Sequence, residues 1–160
     1  MNRLAANDPS GRHVCYRAFV KGEGWQPPVC DGTMAGDSQS EPLTALNVAA
    51  YGVSGTQINV LVHDPGSADG QGKWEPNWTP VTADGKDLYS GSTTADAPAM
   101  SAFGINVGSG QTCQNIRFTG EDWGTQGCQG SRPTSWNFGG TGDNAKTLEA
   151  IWITVPAAAQ

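Results

Sequence analysis

An internal repeat constrains this chain more than any other feature. A tryptophan followed six residues later by Asp or Gln, and then by Gly, occurs three times, at Trp25, Trp78 and Trp123. Each occurrence leads into a matching apolar run, and these runs are Leu43 to Val48, Met100 to Ile105 and Leu148 to Ile153. A unit of about 40 to 50 residues cannot bury its apolar face alone, whereas three units around a pseudo-threefold axis can. The repeat predicts one domain over 14–160, with copies at 14–56, 57–110 and 111–156, after a flexible segment at 1–13.

The residue pattern inside each copy favours strands. Each copy opens with a run of alternating or β-rich residues, namely Val14 to Val20, Ile58 to Val62 and Cys113 to Phe118. Gly and Pro together make up 32 of the 160 residues (22 + 10), which disfavours long helices. Two apolar residues stand side by side in every closing run, at Ala45-Leu46, Ala102-Phe103 and Ala150-Ile151, and predict a β-bulge or a change of face. The fold class is therefore predicted to be all-β.

Four cysteines form two pairs with the same spacing. Cys15 and Cys30 are 15 residues apart, as are Cys113 and Cys128, and a repeat tryptophan lies inside each pair. The short C-x-x-C spacings of a four-cysteine zinc site are absent. Four cysteines permit three disulfide pairings, of which we favour the two within copies. Disulfides indicate a secreted, extracellular protein.

Charge and hydropathy exclude two classes of partner. The chain carries 9 basic and 15 acidic residues, a net charge of −6, and has no basic run. It therefore lacks the positive surface that nucleic acids and anionic membranes attract. No apolar stretch approaches the roughly 20 residues that span a bilayer. We expect neither nucleic-acid binding nor membrane insertion.

Searches for catalytic and metal-binding motifs give little. The string nearest to a nucleophile elbow, which begins at Gly52, has neither its spacing nor its helix. His13 and His63 have no cysteine or serine motif around them. The loop acids do not follow the spacing of a calcium loop; they are Asp64, Asp69, Asp84, Asp87 and Asp143. We expect no enzyme activity, no cofactor and no metal.

The six tryptophans are the best candidates for binding residues. Tryptophan suits sugar recognition because its flat apolar face stacks on a pyranose ring. Trp25, Trp78 and Trp123 recur in every copy and are predicted to be structural. Trp74, Trp136 and Trp152 fall outside the repeat and are predicted to bind ligand, with Trp152 at an outward strand position.

Three polar residues after the repeat tryptophans complete this hypothesis. Asp31, Asp84 and Gln129 stand beside glycines in loops and would bind sugar hydroxyls. Asp-Gly and Gln-Gly pairs also make tight turns, which is the competing interpretation.

Several short motifs resemble known families. Gly24-Trp25-Gln26, Asp31-Gly32, Ala35-Gly36 and Leu148-Glu149-Ala150-Ile151 resemble the clostridial hydrophobic repeat with its tryptophan, the ChW repeat of secreted bacterial proteins. The resemblance covers about residues 14 to 155, although the middle copy has Asn77 where the family has glycine and the third has Gln129 where it favours Asp. A weaker likeness, carried by Trp123-Gly124, Cys128 and Gly142-Asp143-Asn144, is to vitelline membrane outer layer protein and jacalin-type lectins.

These resemblances imply a fold and a function. The lectin-type likeness implies a β-prism of three Greek-key sheets, with a β-trefoil as the alternative. The ChW likeness implies binding to carbohydrate or the cell envelope, and it supplies no catalytic residues. The expected function is a secreted lectin-like module that binds glycans or cell-wall polysaccharide. The alternative is a protein-binding module, such as a protease inhibitor or a subunit of a secreted toxin assembly.

Overall fold

A computed structural model describes residues 11–36, 41–75 and 78–157, with the side chain of residue 75 left undescribed. This part of the chain is all-β. Its strands are His13–Val20 (β1), Gly24–Trp25 (β2), Val29–Cys30 (β3), Ala35–Gly36 (β4), Leu43–Tyr51 (β5), Thr56–Val62 (β6), Lys73–Glu75 (β7), Leu88–Gly91 (β8), Met100–Val107 (β9), Thr112–Phe118 (β10), Gly127–Gln129 (β11), Asn137–Gly140 (β12) and Leu148–Thr154 (β13). Within those ranges, no helix is long and apolar enough to cross a membrane.

Each repeat contributes one central antiparallel pair, made of its predicted opening and closing strands. The pairs are β1 with β5, β6 with β9 and β10 with β13. Their registers correspond: Tyr16 lies opposite Val48, Ile58 opposite Ile105 and Gln114 opposite Ile153.

Every closing strand contains a bulge at the same place. One extra residue interrupts the register, and it is Thr44 in the first pair, Ser101 in the second and Glu149 in the third. Each bulge residue immediately precedes the alanine of the predicted Ala-apolar step, so the predicted bulge is confirmed and lies one residue earlier.

The repeats exchange short edge strands. β8 of the middle repeat joins the first sheet beside β5, β12 of the third repeat joins the second sheet beside β9, and β4 of the first repeat joins the third sheet beside β13. We number the sheets by the repeat that supplies the central pair. Because the exchange is cyclic, every sheet is bound to another repeat along a backbone ladder, and no described sheet closes into a barrel.

The inner faces of the three sheets form one core. Its largest fully buried side chains come from all three repeats and include Tyr16, Leu46, Ile58, Phe103, Ile105, Leu148 and Ile151. Burial follows the predicted period of 2 at the end of β13, where Trp152 and Thr154 alternate with buried residues, whereas β9 and β5 up to Ala50 are buried at every position.

Three glycines make the strand exchange possible. Gly36, Gly91 and Gly140 end the exchanged strands and lie against the bulges, with φ values of +113°, +94° and +121°. A Cβ at these positions would lie 2.3, 2.3 and 2.2 Å from the carbonyl oxygens of the facing bulge residues. Only glycine accepts both the left-handed backbone and this close approach.

The structure confirms the disulfide pairing within repeats. Cys15–Cys30 joins β1 to β3, and Cys113–Cys128 joins β10 to β11. All four thiols are used in these bridges, so the alternative of a four-cysteine zinc site is wrong. In the middle repeat, Gln57 takes the corresponding position in β6.

Arg12 forms hydrogen bonds to all three repeats, at the end of the domain where the chain passes from one repeat to the next. Its guanidinium donates hydrogen bonds to the carbonyl oxygens of Val155 (2.7 Å), Gly52 (2.9 Å) and Ser109 (2.9 Å). Burial lowers the pKa of Arg12, an effect that the charge of Asp84 opposes. Residues 1–10 of the segment predicted to be flexible lie outside the described residues, whereas Arg12 is anchored and β1 begins one residue later.

Candidate functional site

Strand pairing shows which tryptophans correspond. Trp25 lies opposite Phe19, Trp74 opposite Leu61 and Trp123 opposite Arg117. The three partners are equivalent because each directly precedes the register shift at the bulge. Trp74, not Trp78, is therefore the counterpart of Trp25 and Trp123, which corrects the sequence alignment. Trp74 precedes Asp84 by ten residues, whereas Trp25 precedes Asp31 by six, so counting from tryptophan to Asp-Gly selected the wrong residue.

The second sheet carries an aromatic groove beside its bulge. Its floor is formed by Ala102 and Gly140, and Trp74 and Phe138 rise from the strands on either side. The two rings are 5.5 Å apart between centroids and are 38% and 53% exposed. The cavity has a volume of about 310 Å³, and its rim includes the polar side chain of Gln71. A flat apolar wall, a small floor and a polar rim are suited to one sugar ring.

Two further tryptophans extend this groove into an aromatic cluster, which we define as Trp74, Trp78, Trp136 and Phe138. Trp78 stacks on Trp74 at 6.2 Å and contacts Trp136 at 4.7 Å and Phe138 at 5.8 Å, between centroids. A Cβ at Gly104 would lie 2.6 Å from the Trp78 ring. Glycine at this position leaves room for the Trp78 ring on the outer face of the sheet.

The first sheet carries a second groove with the same plan. Ala45 and Gly91 form its floor, and Trp25 and Tyr89 flank them, with ring centroids 6.0 Å apart. Its volume is about 340 Å³, and Tyr89 is 55% exposed. The guanidinium carbon of Arg17 lies 4.6 Å from the Trp25 ring centroid, so a cation lies against one wall of this groove.

The third sheet repeats the floor but changes the chemistry. Ala150 and Gly36 face each other there, and Trp123 lies across from Arg117. Arg117 lies 5.5 Å from the Trp123 ring and forms an ion pair of 2.8 Å with buried Glu149. Met34 is 39% exposed. It directly precedes the last two residues of its exchanged strand, which is the position of Tyr89 and Phe138 in the other two sheets. Met34 thus takes the place of the exposed ring, and an arginine in an ion pair takes the place of the uncharged residues Phe19 and Leu61.

The predicted polar residues do not join these grooves. Asp31 accepts the backbone N–H of Val14 (2.9 Å) and pairs with His13 Nδ1 (2.8 Å). Gln129 is exposed on β11 opposite Thr112, at the same end of its sheet. Since a strand advances about 3.3 Å per residue, the five residues from Val14 to the bulge end separate these side chains from the aromatic walls by roughly 16 Å.

The carboxylate of Asp84 accepts hydrogen bonds from the backbone of a turn. Its carboxylate accepts the backbone N–H groups of Val53 (3.1 Å), Ser54 (3.2 Å) and Gly55 (2.9 Å). These donors belong to the turn that joins the first two repeats. The carboxylate therefore satisfies a turn, which agrees with the competing interpretation of the Asp-Gly pairs.

Trp152 lies apart from the aromatic cluster. It faces Asn115 on the third sheet between two fully buried isoleucines, Ile151 and Ile153, as an outward strand position requires. The side chain is nevertheless half-buried and packs against the core cluster. Of the three tryptophans predicted to bind ligand, Trp74 and Trp136 come together and Trp152 does not.

Sequence reasoning missed Tyr89, Phe138 and the alanine-glycine floor. A signal for the floor was present, because Ala45, Ala102 and Ala150 occupy the same place in every closing strand. The partners of these alanines come from another repeat, on strands of two to four residues. Strands that short carry no readable period.

Within the described ranges, no group of three or more His, Cys, Asp or Glu side chains is placed to hold a metal ion. Comparison of the chain with protein-family models, with curated proteins and with solved structures gives no match.

Proposed function

We propose that this protein is a lectin-like module that binds glycans without catalysis, through grooves on its first and second sheets. One observation carries the proposal: the same alanine-glycine floor lies between a tryptophan and an exposed ring on both sheets. Maintaining a tyrosine and a phenylalanine 55% and 53% exposed beside a cavity is a feature of binding surfaces.

The shape and chemistry of the grooves favour a pyranose. Cavities of about 310 and 340 Å³ lie at the small end of ligand sites, which suits one sugar ring each. Aromatic faces stack on the C–H face of a sugar, while Gln71 and Thr141 at the second groove supply polar groups for hydroxyls.

Two related grooves on one domain support avidity. A surface that displays many copies of a glycan, such as a cell wall, would engage both grooves at once, and individually weak contacts would then sum through effective concentration. This fits the cell-envelope binding that the ChW resemblance implies.

The architecture that we propose is a β-prism. Three antiparallel sheets share one core and exchange edge strands in a cycle. That none of the described sheets closes into a barrel supports a prism over a trefoil. Two disulfides support placing the protein outside the cell, where such bridges persist.

The test is a glycan array followed by calorimetric titration with the glycans that bind. We expect Phe138→Ala to weaken binding at the second groove at least about tenfold, because it removes one wall. Val81→Ala is the matched control, since Val81 is an apolar residue of similar exposure (55%) away from the aromatic cluster. Absence of binding to any sugar or cell-wall polymer at millimolar concentration would reject the proposal and favour the protein-binding alternative.

A further inference from the structure

One row of side chains distinguishes the first sheet from the others. Arg17, Asn47 and Tyr89 lie directly opposite one another on β1, β5 and β8, so their side chains share one face of the sheet. The corresponding row of the second sheet contains Asn59, Gly104 and Phe138, and that of the third contains Asn115 and Trp152. Only the row on the first sheet carries a charge.

Two contacts hold the guanidinium of Arg17 in place. Its Nε donates to Asn47 Oδ1 at 2.9 Å, and its central carbon lies over the Trp25 ring, 4.6 Å from the centroid. Asn47 is itself oriented, because its Nδ2 donates to the carbonyl oxygen of Leu88 at 3.1 Å. The arginine is therefore positioned before any ligand arrives, which lowers the entropic cost of binding.

The remaining donors of this arginine are available. Within the described ranges no hydrogen bond from either Nη atom and no carboxylate at ion-pair distance is found. Arg117 on the third sheet differs, because Glu149 neutralises it at 2.8 Å. An oriented guanidinium with free Nη donors is the group that binds a carboxylate in bidentate geometry.

Resting on the proposed function, we propose that the first-sheet groove is selective for a carboxylated pyranose, a sugar of the uronic acid type. The sugar ring would stack on Tyr89, and its carboxylate would accept hydrogen bonds from the Arg17 Nη atoms. The net charge of −6 gives no long-range attraction for an acidic ligand, so selectivity must come from this local contact. The aromatic cluster contains no cation and would bind the neutral sugar.

The experiment compares two ligands that differ only in the carboxylate, methyl β-D-glucuronide and methyl β-D-glucoside. Titrations are followed by the indole N–H signals of the intact protein, assigned by Trp25→Phe and Trp74→Phe. We expect the Trp25 signal to respond to the glucuronide at about tenfold lower concentration than to the glucoside. Added salt should reduce this preference, since it rests on a charge pair near the surface.

Variants of the arginine decide the outcome. Arg17→Gln should abolish the preference, and Arg17→Lys should retain part of it because the charge remains. Lys86→Gln is the matched control, since it removes an exposed positive charge elsewhere and should leave the preference unchanged.

The inference and the proposed function would fail with different experimental results. If Arg17→Gln retains the glucuronide preference while neutral glycosides still shift the Trp74 signal, the inference is overturned and the proposed function survives. If neither ligand nor their oligomers bind, both are overturned. If an acidic peptide shifts the Trp25 signal at lower concentration than the glucuronide, the assignment to a sugar acid is overturned.

Discussion

The first and middle repeats hold the opening strand to its outer neighbour by different contacts. In the first repeat, a disulfide joins Cys15 on the opening strand to the outer neighbour of that strand. In the middle repeat, Gln57 takes this place, donating to the carbonyl oxygen of Thr79 (2.9 Å) and accepting from Asn106 (3.1 Å). The central strand pair and its bulge are the same in both. The bridge therefore does not define the fold.

The two repeats also differ in the aromatic surface that they expose. In the bridged first repeat, the outer neighbour strands lie close along β1, and one tryptophan is presented. In the middle repeat, Trp78 follows the end of β7 and stacks on Trp74, so this repeat presents two tryptophans. The repeat without a covalent bridge thus carries the larger aromatic surface.

If bridged and unbridged repeats exchange strands with the same geometry, replacing any of the three glycines that face a bulge should lower the free energy of unfolding by a similar amount. Gly140→Ala should lower the free energy of unfolding by roughly 3 to 4 kcal/mol, because the left-handed backbone and the close contact with Ser101 both penalise a Cβ. Gly36→Ala and Gly91→Ala should cost similar amounts, measured by urea denaturation.

Gly120→Ala is the control for backbone strain alone. Its φ of +79° is also left-handed, but a Cβ there meets nothing within 4 Å, so we expect a loss of about 1 kcal/mol. A loss at Gly36 no greater than this control would show that the first repeat closes onto the third by different contacts.

Removing the covalent bridge should cost more than removing the hydrogen bonds that replace it. The double variant Cys113→Ala with Cys128→Ala should lose roughly 3 kcal/mol, since the bridge closes a loop of 15 residues. Gln57→Ala should lose about 1 kcal/mol, the net value of a hydrogen bond. Both are measured by urea denaturation without reductant, and equal losses would contradict the contrast between the repeats.

Local and repeated features of this fold were predictable from sequence. The opening and closing strands were identified by period, the bulges by paired apolar residues, and the disulfides by equal cysteine spacing. Each of these depends on residues near one another in the chain and was supported by its recurrence in the other copies.

Long-range features were not predictable in the same way. The exchanged strands pair with another repeat, and a two-residue strand such as β4 gives no pattern of its own. Trp78 has the spacing to Asp-Gly of the other copies, yet strand pairing gives that place to Trp74, which precedes Asp84 by ten residues. Asp84 was predicted to meet ligand, whereas its carboxylate is engaged by three backbone N–H groups of a turn.

The last prediction concerns a buried position at which the three repeats differ chemically. Tyr16 corresponds to Ile58 and Gln114, and its hydroxyl donates to the Thr33 carbonyl oxygen while accepting the N–H of Ile153. Burial raises the pKa of Tyr16 to about 12. The unfolded chain releases this proton near pH 10, so the stabilisation is complete below pH 10 and is lost as pH rises towards 12. At pH about 11.5 the loss should reach about 2 kcal/mol. Urea denaturation across this range should show it for the native chain and for Tyr89→Phe, whose exposed ring is the control, and not for Tyr16→Phe. Parallel pH profiles for the native chain and Tyr16→Phe would mean that the first repeat gains no proton-linked stability over the middle one.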